Sequence, residues 1–387
     1  MAIPFKYNLS SLLARRVSVM LTVLVIALVV AVLISVTALA RGLSTTLVST
    51  GSPDNVIVLR QSSRSEIQSA VTREAYNFLT TLPEVARMPD GRPFSAAELV
   101  VIVNMPRRSG GTPSNVVVRG VSAASLALRS QVSLVSGTVF RFGVDEAIVS
   151  TTLAARIAGL SLGETVEVAG HSWRVVGLFD AGQTAYGSEI WVDEAQLTAA
   201  FRRHAWSSAL LRARDGASRD ALIAQIAGAQ RFGLKAKPES AYYAEQTLGA
   251  APIGWLGLFV SLTLGIGACF CCANTMFAFV LARIREVATM RALGFSRASI
   301  LLSFSVESVV LGLIGSVVGC LLVLPLHGAN VGGMNYRTFS EVAFAFQITP
   351  GLIVLGLTLG TSIALLGGLL PAYIAARAPI VRGLRAI

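Results

Sequence analysis

Four long runs of apolar residues constrain this 387-residue chain more than any other feature of its sequence. The first run, residues 17–40, contains 24 residues without a charge. An α-helix of about 20 residues crosses the roughly 30 Å hydrocarbon core of a membrane. The run is also longer than the roughly 7–15 apolar residues of a secretory signal peptide. It therefore predicts a retained transmembrane helix over residues 17–41.

The other three runs lie in the last third of the chain. They predict transmembrane helices over residues 251–282, 299–327 and 350–376, of which the second contains one acid, Glu307. About 210 residues of soluble character separate the first run from these three. We therefore predict an α-helical membrane protein with four transmembrane helices, one plus three, and a large α/β domain, residues 42–250, inserted between the first and second.

Composition supports a membrane protein, because 53% of the residues are apolar and only 14% are charged. Soluble domains carry roughly 45–50% apolar and about 25% charged residues. The same figures exclude a disordered chain and a coiled coil.

The positions of the charges predict the orientation in the membrane. Ten basic residues and one acid, Glu286, flank the predicted helices, whereas residues 42–250 hold 20 basic and 18 acidic residues. Cytoplasmic loops near helix ends carry the excess of Lys and Arg. Residues 283–298 and both termini are therefore predicted to be cytoplasmic, in a bacterial inner membrane. The net charge of +11 is then explained by topology, and no nucleic-acid partner is predicted.

The same argument places two further segments. The N-terminal segment 1–16 is cytoplasmic and forms either a short interfacial helix or an irregular tail, and the C-terminal tail is residues 377–387. The large domain and the short loop 328–349 are predicted to be extracytoplasmic, and the lipid bilayer is the first partner that the sequence implies.

The large domain shows the patterns of short α/β elements. Residues Asn55–Arg60 are typical of a strand, and Glu66–Leu82 has the apolar spacing of a helix that stops at a proline. Two apolar stretches, Leu99–Asn104 and Asn115–Arg119, bracket a flexible turn and predict a hairpin.

No pattern of catalytic or metal-binding residues is found. The chain has no Gly-Lys pair, so it lacks the phosphate-binding loop of nucleotide hydrolases. It has no His-x-x-x-His pair. The four cysteines lie in predicted helices without two zinc-type pairs. We predict no catalytic residue, no metal and no cofactor on this chain.

The loop between the second and third helices carries a short pattern of its own. Val287, Met290 and Leu293 recur at helical spacing beside charged residues, and Gly294 is typical of a helix end. An amphipathic cytoplasmic helix of this kind can bind in a groove on another protein. A plain basic loop is the alternative interpretation.

Three segments resemble a known family. The motif R-x-R-E-x-x-x-x-R-A-L-G, residues 283–294, resembles the loop of the FtsX-like permeases of ABC transporters, which include MacB and the Lol-type permeases. The tail Leu370–Arg385 and the segment Asp145–Val149 are similar to the same family. The one-plus-three arrangement of helices also matches, so the resemblance covers nearly the whole chain.

The resemblance implies the membrane subunit of an ABC transporter that passes ATP-driven motion to its extracytoplasmic domain. The implied partners are two ABC ATPase subunits, which bind ATP and Mg, a second copy of the chain or a homologous permease, and, as a further candidate, a periplasmic adaptor. Only 16 residues precede the first run, so we expect the ATPase on a separate chain. The substrate class is a peptide, lipid, lipoprotein or drug-like molecule for export or extraction.

The resemblance also assigns residues and modules. The expected ATPase-coupling residues are those of the loop motif: Glu286, Val287, Met290, Arg291, Leu293 and Gly294. The large domain is expected to consist of a porter-like layer, residues 42–91 and 204–250, with an inserted module at 92–203. The alternative functions are an FtsX-like regulator that activates an extracytoplasmic cell-wall hydrolase without transport, and a membrane scaffold without an ATPase.

Polar and small residues within the helices have two interpretations each. An ionisable group costs about 2.5–3.5 kcal/mol in a membrane helix, so Glu307 is either functional or hydrogen-bonded to a neighbouring helix. The pairs Gly315/Gly319 and Gly356/Gly360 permit close approach of helices, either within one subunit or at a dimer interface.

Overall fold

The computed structural model describes residues 16–247, 251–335 and 338–380. These residues form two compact units, which are described separately. The helical unit contains residues 16–41, 252–329 and 346–380, and the α/β domain contains residues 42–247, 251, 330–335 and 338–345. The predicted interfacial helix before residue 16 and the tail beyond residue 380 lie outside the described residues.

The helices are numbered in chain order. They are α1 (Arg16–Val48), α2 (Arg73–Thr81), α3 (Ala123–Leu128), α4 (Thr151–Arg156), α5 (Glu194–Ala200), α6 (Gly216–Gly228), α7 (Glu239–Gln246), α8 (Ala251–Ala282), α9 (Ile284–Ala292), α10 (Arg297–Val323) and α11 (Pro350–Arg377).

The strands are numbered in the same way. They are β1 (Asn55–Arg60), β2 (Val71–Thr72), β3 (Ser95–Met105), β4 (Ser114–Val121), β5 (Ser133–Gly137), β6 (Glu146–Ser150), β7 (Thr165–Val168), β8 (His171–Asp180), β9 (Glu189–Asp193), β10 (Ala205–Trp206), β11 (Ser208–Arg212), β12 (Leu234–Pro238), β13 (Asn330–Asn335) and β14 (Ser340–Ala345).

Four of the described helices, α1, α8, α10 and α11, are long and apolar enough to cross a membrane. The large α/β domain lies between the first and second of them in the chain, which confirms the predicted fold class. Helix α1 continues beyond Arg41 to Val48, because a charged residue ends an apolar run but not a helix. The Arg41 side chain donates a hydrogen bond from Nη1 to Thr349 Oγ1 at 2.9 Å.

Small residues let the helices of the helical unit approach one another closely. A Cβ atom on Gly315, Gly319 or Gly356 would lie 2.6–2.8 Å from atoms of α1, and one on Gly360 would lie 2.9 Å from Val30 of the same helix. All four glycines predicted as packing residues therefore lie at contacts within one chain. The core around them is formed by apolar residues of α1, α8, α9, α10 and α11.

Ten strands of the α/β domain form one sheet. Nine follow the order β12-β1-β11-β3-β4-β9-β6-β8-β5, and β7 pairs with β8. Pairing is antiparallel except for β4 with β9 and β6 with β8. Strand β11 pairs with β3, from Ser208 opposite Glu98 to Leu211 opposite Ser95. Strands β1, β11 and β12 of the expected porter-like layer therefore share a single sheet with β3–β9 of the expected inserted module, whereas β2 and β10 pair separately.

The predicted helix over Glu66–Leu82 is wrong in its first half. Residues Glu66–Gln68 form a 3-10 turn, β2 follows, and α2 begins only at Arg73. Thr72 caps α2 by accepting a hydrogen bond from the Ala75 amide at 3.3 Å. An N-cap threonine has extended backbone geometry, so the helix cannot continue through it.

The predicted loop 328–349 contains the antiparallel hairpin β13–β14, which belongs to the α/β domain. The Ala343 amide donates to Ser188 Oγ at 2.6 Å, and Asn335 Nδ2 donates to Gln246 Oε1 at 2.6 Å. Residues Val342, Ala343, Phe344 and Ala345 are buried. The segment between α10 and α11 is thus packed into the domain that lies between α1 and α8 in the chain.

Candidate functional site

The short helix α9 separates the two membrane-length helices α8 and α10. The chain leaves helical geometry at Arg283, with φ −112° and ψ 16°, and α9 starts at the next residue. Glu286 in its first turn and Arg291 in its last turn complement the helix dipole. Gly294 ends the helix in the left-handed conformation, with φ +93°.

The predicted apolar stripe of α9 does not form one exposed face. Val287 is 2% exposed and packs into the core of the helical unit, whereas Leu293 is 72% exposed. Met290 lies between them and is partly buried against the same core. Val287 and Leu293 do not share one exposed face, because residues six positions apart on a helix of 3.6 residues per turn point about 120° apart.

The exposed face of α9 has a different composition. It contains Arg285, Glu286, Thr289 and Ala292, and Leu293 and Gly294 extend it beyond the end of the helix. This surface offers both charges and one large apolar side chain. Arg291 lies beside it and donates a hydrogen bond from Nη1 to the carbonyl oxygen of Phe295 at 3.2 Å, which holds the turn that follows α9.

An ion pair connects the start of α9 to α10. Arg283 Nη1 lies 2.6 Å from Glu307 Oε1, and the Glu307 side chain is 0% exposed. The same guanidinium donates from Nε to Glu286 Oε2 at 3.1 Å and lies 5.6 Å from the centre of the Phe304 ring. Arg283 therefore joins the buried acid of α10 to the first turn of α9.

Arg283 is the residue of this site that the sequence argument overlooked, because it counted this arginine only as one of the basic flanking residues. A buried acid in a membrane-length helix needs a partner, and an arginine can extend its long side chain from the helix end towards it. Considering every arginine of the loop 283–298 as a partner of Glu307 would have included Arg283 as a candidate.

A second group of buried charges lies inside the α/β domain. Arg119 of β4 bonds to Glu98 of β3, to Glu189 of β9 and to Glu66, at 2.8–2.9 Å. Arg129 also bonds to Glu98. Burial acts to raise the pKa of Glu98, but the guanidinium groups of Arg129 and Arg119 hold that pKa below its ordinary value. The arginine within the apolar stretch of β4 was the sequence feature that could have indicated this network.

Two family models match the chain. The MacB-like periplasmic core domain matches residues 19–229, more than half of the chain, and the FtsX-like permease C-terminal domain matches residues 257–380. The chain belongs to the FtsX/MacB-like family of ABC permeases. The predicted family is thereby confirmed, and the FtsX-like match covers most of α8 and all of α9, α10 and α11 of this permease.

An individual relative matches a shorter stretch of the chain. The macrolide export ATP-binding/permease protein MacB of Bordetella avium (strain 197N) is 31% identical over 132 residues, which are 34% of this chain and 19% of that protein. The permease thus matches only about a fifth of the length of that relative.

Among solved structures, the chain is similar to the extracellular domain of the noncanonic ABC-type transporter YknZ from Gram-positive bacteria, with a TM-score of 0.36 and 15% sequence identity. The match covers 47% of this chain and 99% of the YknZ domain. It is also similar to the periplasmic region of MacB from Actinobacillus actinomycetemcomitans, with a TM-score of 0.37 and 10% sequence identity. That match covers 51% of this chain and 94% of the MacB region.

In the parts of the permease that the structure describes, no group of three or more His, Cys, Asp or Glu side chains is arranged to hold a metal ion. The cysteines Cys269, Cys271, Cys272 and Cys320 are free thiols within α8 and α10.

Proposed function

We propose that this permease is the membrane subunit of an ABC transporter and that a separate ATPase subunit docks on the exposed face of α9. The proposal includes two ATPase subunits, a second permease subunit, and cytoplasmic termini with an extracytoplasmic α/β domain. ATP-driven movement of the ATPases would press on α9, and the helical unit would carry that movement to the α/β domain.

The Arg283–Glu307 ion pair is the observation that supports this proposal most directly. A helix that docks a moving partner transmits force only if it is fixed to the helices behind it. The buried side chains of Val287 and Ala288 hold one face of α9 against the helical core, and Arg283 fixes its first turn to α10. The opposite face, with Glu286 and Leu293, stays accessible.

Membership in the family supports the ATPase as partner, and the substrate class remains a peptide, lipid, lipoprotein or drug-like molecule. A periplasmic adaptor is a further proposed partner of the α/β domain. ATP and Mg belong to the ATPase in this scheme.

The experiment compares the two faces of α9 in the full-length permease. Leu293→Asp and Glu286→Arg change the exposed face, so we expect each to reduce co-purification of the ABC ATPase while thermal stability is retained. Burial of a leucine contributes roughly 1.5–3 kcal/mol, so loss of that contact weakens docking about tenfold or more. Thr289→Ser is the matched control on the same face, and it should bind normally.

A buried variant completes the comparison. Val287→Ala removes methyl groups from the helical core, so we expect lower thermal stability with little direct effect on binding by folded protein. Met290→Ala should behave in the same way, although less strongly. Full ATPase binding and full coupled hydrolysis in both Leu293→Asp and Glu286→Arg would contradict docking at this face.

A further inference from the structure

The hairpin β13–β14 makes a charged contact that the proposed function leaves unused. Glu341 of β14 forms ion pairs with Arg107 and Arg156 and accepts a hydrogen bond from Ser114 Oγ. We call these four residues the Glu341 cluster. The Glu341 side chain is 12% exposed, so the contact is largely removed from solvent.

The Glu341 cluster lies away from the strands through which the chain enters and leaves the sheet. The chain enters the sheet at β1, directly after α1, and leaves it at β12, before α7 and α8. Both strands lie together at one edge of the sheet. Arg107, Ser114 and Arg156 instead belong to the segment 95–193, which contains β3–β9; β11 separates these strands from β1 in the sheet.

Hydrogen bonds of the hairpin backbone strengthen this second attachment. The Ala343 amide donates to Ser188 Oγ at 2.6 Å, and Asn115 Nδ2 donates to the carbonyl oxygen of Phe339 at 2.9 Å. Ser188 and Asn115 also lie in the segment 95–193. Helices α10 and α11, which flank the hairpin in the chain, are therefore connected to this segment. The residues that follow α1 also reach it, since the Ala185 amide donates to Thr50 Oγ1 at 2.7 Å, and the hairpin bonds as well to Gln246 of α7.

Glu341 is the residue that makes this attachment possible. Arg107 and Arg156 repel each other, and burial together with this repulsion lowers the pKa of Arg156. Gly332 of β13 leaves the space that Arg156 occupies, because a Cβ there would lie 2.8 Å from Arg156 Cζ. Without the Glu341 carboxylate, two neighbouring guanidinium groups would face the hairpin without their shared counter-charge.

We propose that Glu341 is a positioning residue that fixes the hairpin to residues 95–193, and that this attachment transmits movement of α10 and α11 to that part of the α/β domain. The inference rests on the proposed function, since ATP-driven movement is its input. The attachment stays closed throughout the cycle, so that the hairpin acts as a fixed connection.

The test is hydrogen–deuterium exchange of the full-length permease in complex with its ABC ATPase, with and without a non-hydrolysable ATP analogue. We expect the wild-type complex to show nucleotide-dependent exchange both in the helical unit and in residues 95–193. In Glu341→Gln, the response of residues 95–193 should be weakened while that of the helical unit is retained, because the residues after α1 still contact this segment. Glu74→Gln, which changes an exposed acid of α2, is the matched control and should behave like wild type.

A disulfide provides the rescue. The 2.6 Å bond from the Ala343 amide to Ser188 Oγ keeps the two α-carbons within about 6.5 Å, a separation that a disulfide spans. In Glu341→Gln with Ser188→Cys and Ala343→Cys, oxidation should restore the full response of residues 95–193, and reduction should weaken it again. Rescue would show that the attachment, rather than a folding defect, was lost.

The remaining outcomes contradict the inference. A response of residues 95–193 in Glu341→Gln equal to that of wild type would overturn it, as would a failure of the oxidised variant to restore the full response. Absence of any nucleotide-dependent change in the wild-type complex would instead contradict the proposed function itself.

Discussion

Arg283 Nη1 and Glu307 Oε1 lie 2.6 Å apart, which places a full ion pair between the residue preceding α9 and the buried side of α10. Removal of one partner from a buried pair leaves an uncompensated charge and costs about 3–5 kcal/mol, whereas replacement of both by apolar residues is often neutral. Single and double variants of this pair can therefore distinguish an effect on protein stability from an effect on coupling to ATP hydrolysis.

We expect Glu307→Leu to lower the thermal stability of the permease strongly, because the charge of Arg283 loses its buried partner. Glu307→Gln keeps the shape and should have a smaller effect. The double variant Arg283→Leu with Glu307→Leu should regain most of the stability but couple ATP hydrolysis poorly, because α9 is no longer fixed by an ion pair. Thermal unfolding and the ATPase activity of the complex are the measurements.

The control for this prediction is Glu286→Gln, which removes the more exposed partner of Arg283. Exposed ion pairs contribute about 0–1 kcal/mol, so its stability should be close to that of wild type. Wild-type stability and coupling in both Glu307→Leu and Glu307→Gln would exclude a structural and a coupling role for this acid.

The orientation in the membrane is predicted from charge alone. The segments that flank the helices contain ten basic residues and one acidic residue, whereas residues 42–250 contain 20 basic and 18 acidic residues. Reporter fusions at residue 110 should therefore report an extracytoplasmic position, and fusions at residues 290 and 387 a cytoplasmic one. A cytoplasmic result at residue 110 would refute this orientation.

Sequence patterns predicted the four long helices because hydrocarbon thickness sets their length. They predicted β1 because a short apolar run rich in β-branched residues is a local signal. They could not predict that Glu66 would be buried beside Arg119, since these residues come together only in the folded sheet. The faces of α9 were assigned from apolar spacing alone, so Val287 was expected at the surface although neighbouring helices cover it. The contacts of Glu341 depend in the same way on residues more than 180 positions away.

Several glycines pack closely against α1, so adding a methyl group at these positions should lower the stability of the helical unit. An alanine Cβ at Gly315 would lie 2.8 Å from Ile26 Cβ and 3.2 Å from the Val23 carbonyl oxygen, so the helices must shift. We expect Gly315→Ala to destabilise the helical unit by about 1–3 kcal/mol, as overpacked cores generally do. Thermal unfolding in detergent measures the effect.

The matched control for Gly315 lies in α8. A Cβ at Gly267 would have no atom within 4 Å, so Gly267→Ala should be neutral or slightly stabilising. Equal stability of the two variants would argue against close contact between α10 and α1 and would favour these glycines as part of a subunit interface.

Acid should weaken the α/β domain through the network around Arg119. The guanidinium groups of Arg129 and Arg119 hold the pKa of Glu98 below its ordinary value despite burial. A carboxylate whose pKa is lower in the folded state contributes stability above its unfolded pKa, and this contribution is lost as the pH falls through the folded value. We therefore expect an acid transition below about pH 4.5, the ordinary value for glutamate.

Arg119→Met tests the origin of that acid transition. It leaves Glu66 and Glu189 without their shared arginine, so we expect a loss of about 3–5 kcal/mol near neutral pH. It also removes one of the two cations that lower the pKa of Glu98, so acid unfolding should move to higher pH. Trp191 reports the change by fluorescence, since its Nε1 donates to Glu189 at 2.8 Å. The control is Arg141→Met, which breaks the ion pair of Arg141 with Glu146; this arginine is 76% exposed, so stability and the acid midpoint should stay unchanged. If Arg119→Met and Arg141→Met unfold at the same pH and with the same stability, the buried network does not stabilise the domain.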